Sequence, residues 1–193
     1  LCVRGDQQTE DTYSEIYSPV VNHAVTKLLF SIAAARNMKL LAMDVSAAYT
    51  QADLDRPIYM HSPTERGKIV LLRRALYGLK QSARLWNTRL DQVLSANNWS
   101  RSKIDDCLYF KSDRGVLSIL VIYVDDVILA TESQEVLDAT KDLMESTFTM
   151  SSIKIPDTFL GVQVTLCKEG ILLHQTDYVK RVLRHFKFDD AHP

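Results

Sequence analysis

Leu117-Ser118-Ile119-Leu120-Val121-Ile122-Tyr123-Val124 leads into Asp125-Asp126, and Val127-Ile128-Leu129-Ala130-Thr131 leads away from it. β-branched and apolar runs on both sides, without apolar/polar alternation, predict the two strands of one hairpin, each covered on both faces. The acids then sit at the turn. Asn-Gly or Asp-Gly would serve a tight turn better, because positive φ is needed there. A solvent-facing Asp pair would be explained by turn chemistry alone, but apolar residues pressed against both sides count against that. Adjacent carboxylates in such surroundings repel each other and lose hydration, so a cation is expected to compensate them.

The composition is that of a globular chain: 193 residues, 46% hydrophobic, formal net charge −1. A near-neutral balance excludes a uniformly basic nucleic-acid binder, so any such surface is local. Cys2, Cys107 and Cys167 lie far apart with no CxxC spacing and are read as reduced thiols of an intracellular protein. No apolar run approaches the ~20 residues of a membrane span, so no membrane is expected. Leu1 in place of Met, and a polar ending at Pro193, are read as the ends of a piece of a longer polypeptide.

Outward from the hairpin, Ser18-Pro19 gives an N-cap and first-turn proline for a helix carrying Val21, Val25, Leu28, Leu29 and Ile32 at helical spacing up to Arg36-Asn37. Arg4-Gly5-Asp6 is a turn. Lys39 to Val45 is a buried strand with one acid, Asp44, near its end. Ile58–His61 and Lys68–Leu72 make a hairpin. Gly78 opens a second helix with Ala83, Trp86, Leu90, Val93 and Leu94 on its apolar face, ended by Asn97-Asn98. Asp113-Arg114-Gly115 turns into the central hairpin. Thr131 with Gln134 predicts a capping box for a third helix ending near Phe148. Phe159–Val164 is a strand, Lys168-Glu169-Gly170 a turn, Ile171–His174 its return, and Gln175–Phe186 a fourth helix. This order predicts an α+β fold, with helices packed on one face of an antiparallel sheet.

Asp44 and the Asp125-Asp126 pair each end a strand apolar enough to be central in one sheet. Neighbouring strands would bring three carboxylates to one edge. Hard oxygen ligands without His or Cys suit Mg²⁺, which takes one or two carboxylates per ion and completes its shell with water and substrate phosphate. Two ions about 3.5–4 Å apart serve nucleotidyl transfer by activating a 3′-hydroxyl and stabilising the leaving pyrophosphate.

Tyr123-Val124-Asp125-Asp126 between apolar strands resembles the signature of reverse transcriptases, and Met43-Asp44-Val45 through Ala48-Tyr49 resembles the other aspartate motif of their palm. Ser18-Pro19-Val20, Ala75-Leu76-Tyr77-Gly78-Leu79-Lys80-Gln81, Trp86, Phe159-Leu160-Gly161, and Gln175 with Tyr178 follow the order found in copia-class retrotransposon reverse transcriptases. The resemblance covers nearly the whole chain. It implies a single reverse-transcriptase-like domain fragment, a palm with partial fingers. Residues 1–43 and 50–85 are then fingers and palm elements, 44–49 and 86–166 palm, and 167–193 the start of the thumb or connection.

The resemblance further implies that Asp44, Asp125 and Asp126 are the catalytic residues and ligate two Mg²⁺ ions, for which Mn²⁺ can substitute. Tyr49 matches the aromatic that crowds the sugar 2′-position and favours deoxynucleotides. Gln81, Val45, Tyr123 and Arg4 are implied at the nucleotide site. Phe159, Leu160 and Gly161 resemble the strand that supports the primer end, where the glycine admits a close backbone approach. The implied partners are an RNA or DNA template with primer, deoxynucleoside triphosphates, and the rest of a Pol polyprotein with integrase and ribonuclease H. Cytoplasmic particles, with the nucleus as a further site, are the implied location. Ala83 stands where the family carries proline before Arg84, and Gln51-Ala52 where it carries Asn-Gly. Of the family's basic residues that grip triphosphate and template, only Arg4 is represented.

The expected function is therefore that of an RNA-directed and DNA-directed DNA polymerase core. Two rivals stay open: an inactive relic or fragment that keeps the fold and binds nucleic acid weakly, and another metal-dependent phosphotransferase on the same kind of sheet.

Overall fold

The central strands and the four helices lie near where the apolar periodicity places them, with several boundaries shifted. The computed structural model describes residues 2–113 and 115–188. In it α1 (His23–Ala35) leads into β1 (Lys39–Val45), the hairpin of β2 (Asp53–His61) and β3 (Ile69–Arg74), and α2 (Ser82–Ala96). Next come β4 (Ser100–Arg101), β5 (Leu108–Asp113), β6 (Val116–Tyr123), β7 (Asp126–Thr131), α3 (Gln134–Thr147) and β8 (Met150–Lys154). β9 (Thr158–Phe159), β10 (Val162–Cys167), β11 (Gly170–His174) and α4 (Thr176–His185) complete the described chain. The main sheet runs β4-β5-β6-β7-β1-β8 and is antiparallel, while β11-β10-β9 forms a small second sheet. The fold is α+β, as expected. Arg114, in the turn expected at Asp113–Gly115, lies outside the described residues, as do residues 189–193 of the expected thumb segment.

The helices are not confined to one face, which corrects the sequence expectation. Because side chains alternate along a strand, Leu41, Met43 and Val45 of β1 join Leu120, Ile122, Val127 and Leu129 in a core with Trp86, Leu90 and Leu94 of α2 and Met144 of α3. Leu40 joins Ile119, Val121, Ile128 and Ala130 in an opposite core with Leu29, Phe30 and Ala33 of α1 and Phe159 and Val164 of the small sheet. Two cores explain why the central strands lack alternation. Among the described residues, no helix is long and apolar enough to cross a membrane.

Several boundaries differ from the sequence reading. The first helix starts at His23, not after Ser18, because the Asn22 side chain accepts from the Ala24 amide at 2.9 Å while Asp105 accepts from the Asn22 amide at 3.1 Å. The cap of α3 is Ser133, which accepts from Val136; the Thr131 hydroxyl instead pairs at 2.7 Å with Ser118 inside the hairpin. The strand expected over Phe159–Val164 is a tight hairpin. Leu160 and Gly161 carry φ of 50° and 76°, and Phe159 pairs with Val162 across them.

Gly78 does not open α2; it is a packing point. Val3 donates to the Tyr77 carbonyl at 2.8 Å, laying the N-terminal segment across Tyr77-Gly78. A Cβ on Gly78 would meet the Val3 carbonyl oxygen at 2.0 Å, and one on the buried Gly5 would meet the Gly78 oxygen at 1.8 Å. Glycine is needed in both places because two backbones are in contact.

Candidate active site

Register brings the acids together. Asp44 of β1 pairs with Asp126 of β7, and Asp126 pairs on its other side with Tyr123 of β6. Opposed residues of an antiparallel sheet share a face, so the three side chains form one row at the end of the sheet, on the α1 side. The turn before them is Val124-Asp125, not Asp125-Asp126 as expected: Asp126 is the first residue of β7. Asp125 accepts from the Val45 amide at 2.9 Å through its carbonyl, which ties the turn to the end of β1. Val124 has φ of 54°, an unfavourable conformation for a β-branched residue. Trp86 holds it there, its indole Nε1–H donating to the Val124 carbonyl at 2.6 Å.

The acids are half-buried. Burial raises the Asp126 carboxyl above the ordinary range, and the charges of Asp125 and Asp44 add to this. Burial first, then Asp125, raises Asp44 in the same direction. Among the described residues, none of the three forms an ion pair with a Lys, Arg or His. Nor do three or more His, Cys, Asp or Glu side chains among them converge tightly enough to enclose a metal on their own. The donor chemistry still fits a hard cation: carboxylate oxygens only, two of them dehydrated and repelled, with water and ligand phosphate able to complete the shell.

A cavity of about 570 Å³ opens beside this row, lined by Val20, Val21, Asn22, His23, Tyr123, Asp126 and Leu160. Tyr49 lies near the same acids and lines a smaller, separate pocket with Trp86 and Val124. Its ring lies 4.5 Å from that of Tyr77, and its hydroxyl is raised by burial and by Tyr77, Asp125 and Tyr123. Tyr77 is raised by burial and by the charge of Asp125, which puts its ring within reach of the same charge. Trp86 packs edge-on to Phe148 at 5.0 Å beneath the turn. Trp86→Phe keeps most of that packing and removes the donor to Val124; urea denaturation is expected to show a loss of about 1–2 kcal/mol, since a partly buried carbonyl is left unpaired.

The remaining sequence-predicted residues divide between near and far. Tyr123 and Leu160 line the cavity with Asp126. Val45 points into the core and reaches the site only through its backbone. Phe159 is buried under α1. Gly161 has open space around its Cβ position, so positive φ in the hairpin turn, rather than a close backbone approach, demands glycine there. Gln81 is fully buried, accepting from Gln8 at 2.8 Å and donating to the Thr12 carbonyl at 3.0 Å, so its amide anchors the N-terminal segment. Arg4 is paired with Asp6 at 2.6 Å and lines a separate cavity with Ile58, Met60 and His61.

Tyr77 and Ser151 went unrecognised as site residues in the sequence. Tyr77 stood inside a matched motif, but its tilted ring contact with Tyr49 joins residues 28 apart in the chain and carries no local signal. Ser151 carried no motif at all, yet its hydroxyl donates to the Asp44 carboxylate. Gln51, where the family pattern has Asn, bridges the Ser46 and Thr149 carbonyls and accepts from the Thr149 amide, fastening the end of β1 to β8.

The sequence matches the family described as reverse transcriptase (RNA-dependent DNA polymerase) over residues 1–193. It is 28% identical to a retrovirus-related Pol polyprotein of transposon TNT 1-94 from Nicotiana tabacum, covering 100% of this chain and 15% of that protein. It is 27% identical to the Pol polyprotein of transposon RE1 from Arabidopsis thaliana over 94% of this chain and 13% of the relative. A putative transposon Ty5-1 protein of Saccharomyces cerevisiae is 30% identical over 72% of this chain and 47% of its own length. The chain thus spans about a seventh of the Pol polyproteins it matches. With the paired aspartates at the end of the central sheet, these matches identify the chain as a member of the reverse transcriptase family, of the copia class found in retrotransposon Pol polyproteins.

Proposed function

We propose that this chain is the fingers-palm core of a template-directed DNA polymerase, joining deoxynucleoside triphosphates to a primer 3′-hydroxyl, on RNA or DNA template, within a longer Pol polyprotein. The observation that carries the reading is the row Asp44–Asp126–Tyr123 with Asp125 in the adjoining turn, half-buried and without a cationic partner among the described residues. Asp44, Asp125 and Asp126 would hold divalent cations, Mg²⁺ or Mn²⁺, which when bound supply the charge that favours a 3′-alkoxide and neutralises a triphosphate.

The chain's own side chains supply position. Tyr49, braced by Tyr77, forms a rigid wall where a ribose 2′-hydroxyl would clash. Leu160, on its tight turn, faces the cavity that holds Asp126 and would support the primer end. Binding through the phosphate backbone makes affinity fall steeply with salt. Extension of an oligo(dT) primer on poly(A) tests the reading: product must require both primer and template. Nucleotide transfer without a primer would favour the rival phosphotransferase instead.

A further inference from the structure

The register of β1 against β8 is irregular where it meets the site. Asp44 pairs with Ser152 and Val45 with Met150, which leaves Ser151 as the extra residue of a bulge. Bulges re-aim side chains, and this one turns the Ser151 hydroxyl onto Asp44: Oγ donates to the carboxylate oxygen Oδ1 and lies 3.2 Å from the Asp44 main-chain oxygen. No other hydrogen bond reaches the Asp44 carboxylate among the described residues. Asp126 flanks Asp44 on one side and Asp125 acts on it through space, so without a donor the carboxylate has nothing to fix its orientation.

We propose that Ser151 is a positioning residue for the cation site, holding Asp44 Oδ1 so that its other oxygen faces the Asp126 side. This rests on the reading of Asp44 as a metal ligand. Donors to ligating carboxylates set orientation, and their removal weakens metal binding more than it weakens the fold. Ser151 is exposed, so its removal leaves no cavity and water competes for the same oxygen. The effect is therefore expected at the low end of such contributions.

The experiment is a Mn²⁺ titration of the folded chain followed by electron paramagnetic resonance, which counts free ion without asking for activity. Ser151→Ala should raise the Mn²⁺ concentration for half-occupancy about fivefold, the effect of one hydrogen bond to a charged group partly replaced by water. Ser151→Thr, which keeps the hydroxyl and suits a strand, should stay within about twofold of the parent. Asp44→Asn is the control. Ser151→Ala matching the parent beside a weakened Asp44→Asn overturns this inference alone, as does Ser151→Thr binding as poorly as Ser151→Ala. If Asp44→Asn itself matches the parent, the metal-site reading falls and this inference with it.

Discussion

Asp126→Asn is expected to lower primer extension on the order of 10³-fold, as loss of a charged group at the reacting centre does, and in the same cation-free chain to raise the melting temperature at neutral pH. Both follow from one cause. Burial and the neighbouring charges of Asp125 and Asp44 hold the Asp126 carboxyl above its ordinary range. A carboxyl held high in the folded state favours folding fully below the ordinary value of about 3.9, and that contribution is lost as pH rises through the raised value. The charges of Asp125 and Asp44 press on the Asp126 carboxylate, and replacing it with a neutral amide relieves the repulsion. Water reaches these half-exposed groups and screens them, so a gain of roughly 2–4 °C is expected, the effect of about 1 kcal/mol in a domain this size. The gain should disappear as pH is lowered below about 4, where the parent carboxyl is already neutral. Melting curves by circular dichroism at pH 7 and pH 3.5 check this; a variant less stable than the parent at pH 7 would contradict it.

Gly78→Ala is expected to be among the most damaging single-methyl additions in the chain. The new Cβ would stand 2.0 Å from the Val3 carbonyl oxygen and 2.9 Å from Cys2 Sγ, at a φ of 98° that side chains avoid. Backbone cannot yield as a flexible side chain would, so the N-terminal segment must lift away, breaking the bond from Val3 to Tyr77. A loss of about 3 kcal/mol or more is expected, seen as a fall of roughly 6–12 °C in melting temperature. Tyr77 would lose its backing, and with it the wall behind Tyr49. Gly67→Ala makes the comparison: its φ is 79°, but nothing lies within 4 Å of its Cβ position, so a loss of only about 1 kcal/mol is expected.

Much of this was legible in the sequence. The β1 run Lys39–Val45 and the central hairpin could be read because burial on both faces leaves no alternative to unbroken apolar strands. Asp44 and Asp126 could be picked out for the same reason: an acid at the end of such a strand lacks a structural motive. The side of the sheet taken by each helix could not be read, since periodicity tells which face of α1 is apolar but not which core it joins. The Leu160-Gly161 turn was hidden because leucine rarely adopts positive φ, so the run looked like one strand. The burial of Gln81 could not be read either, because the Gln8 and Thr12 groups that occupy its amide lie about seventy residues away in the chain and carry no signal of the pairing. Ser151 was invisible because a bulge is a matter of register between strands, which one strand's sequence does not encode.

The most direct measurement is primer extension on oligo(dT)-primed poly(A) with Mg²⁺ or Mn²⁺, comparing the parent chain with Asp125→Asn at equal folded concentration. The parent is expected to extend and Asp125→Asn to fall to background, since a neutral amide in the turn removes one of the three charges that would hold the cations. Extension by Asp125→Asn at the parent's rate would contradict the assignment of these aspartates to the chemistry.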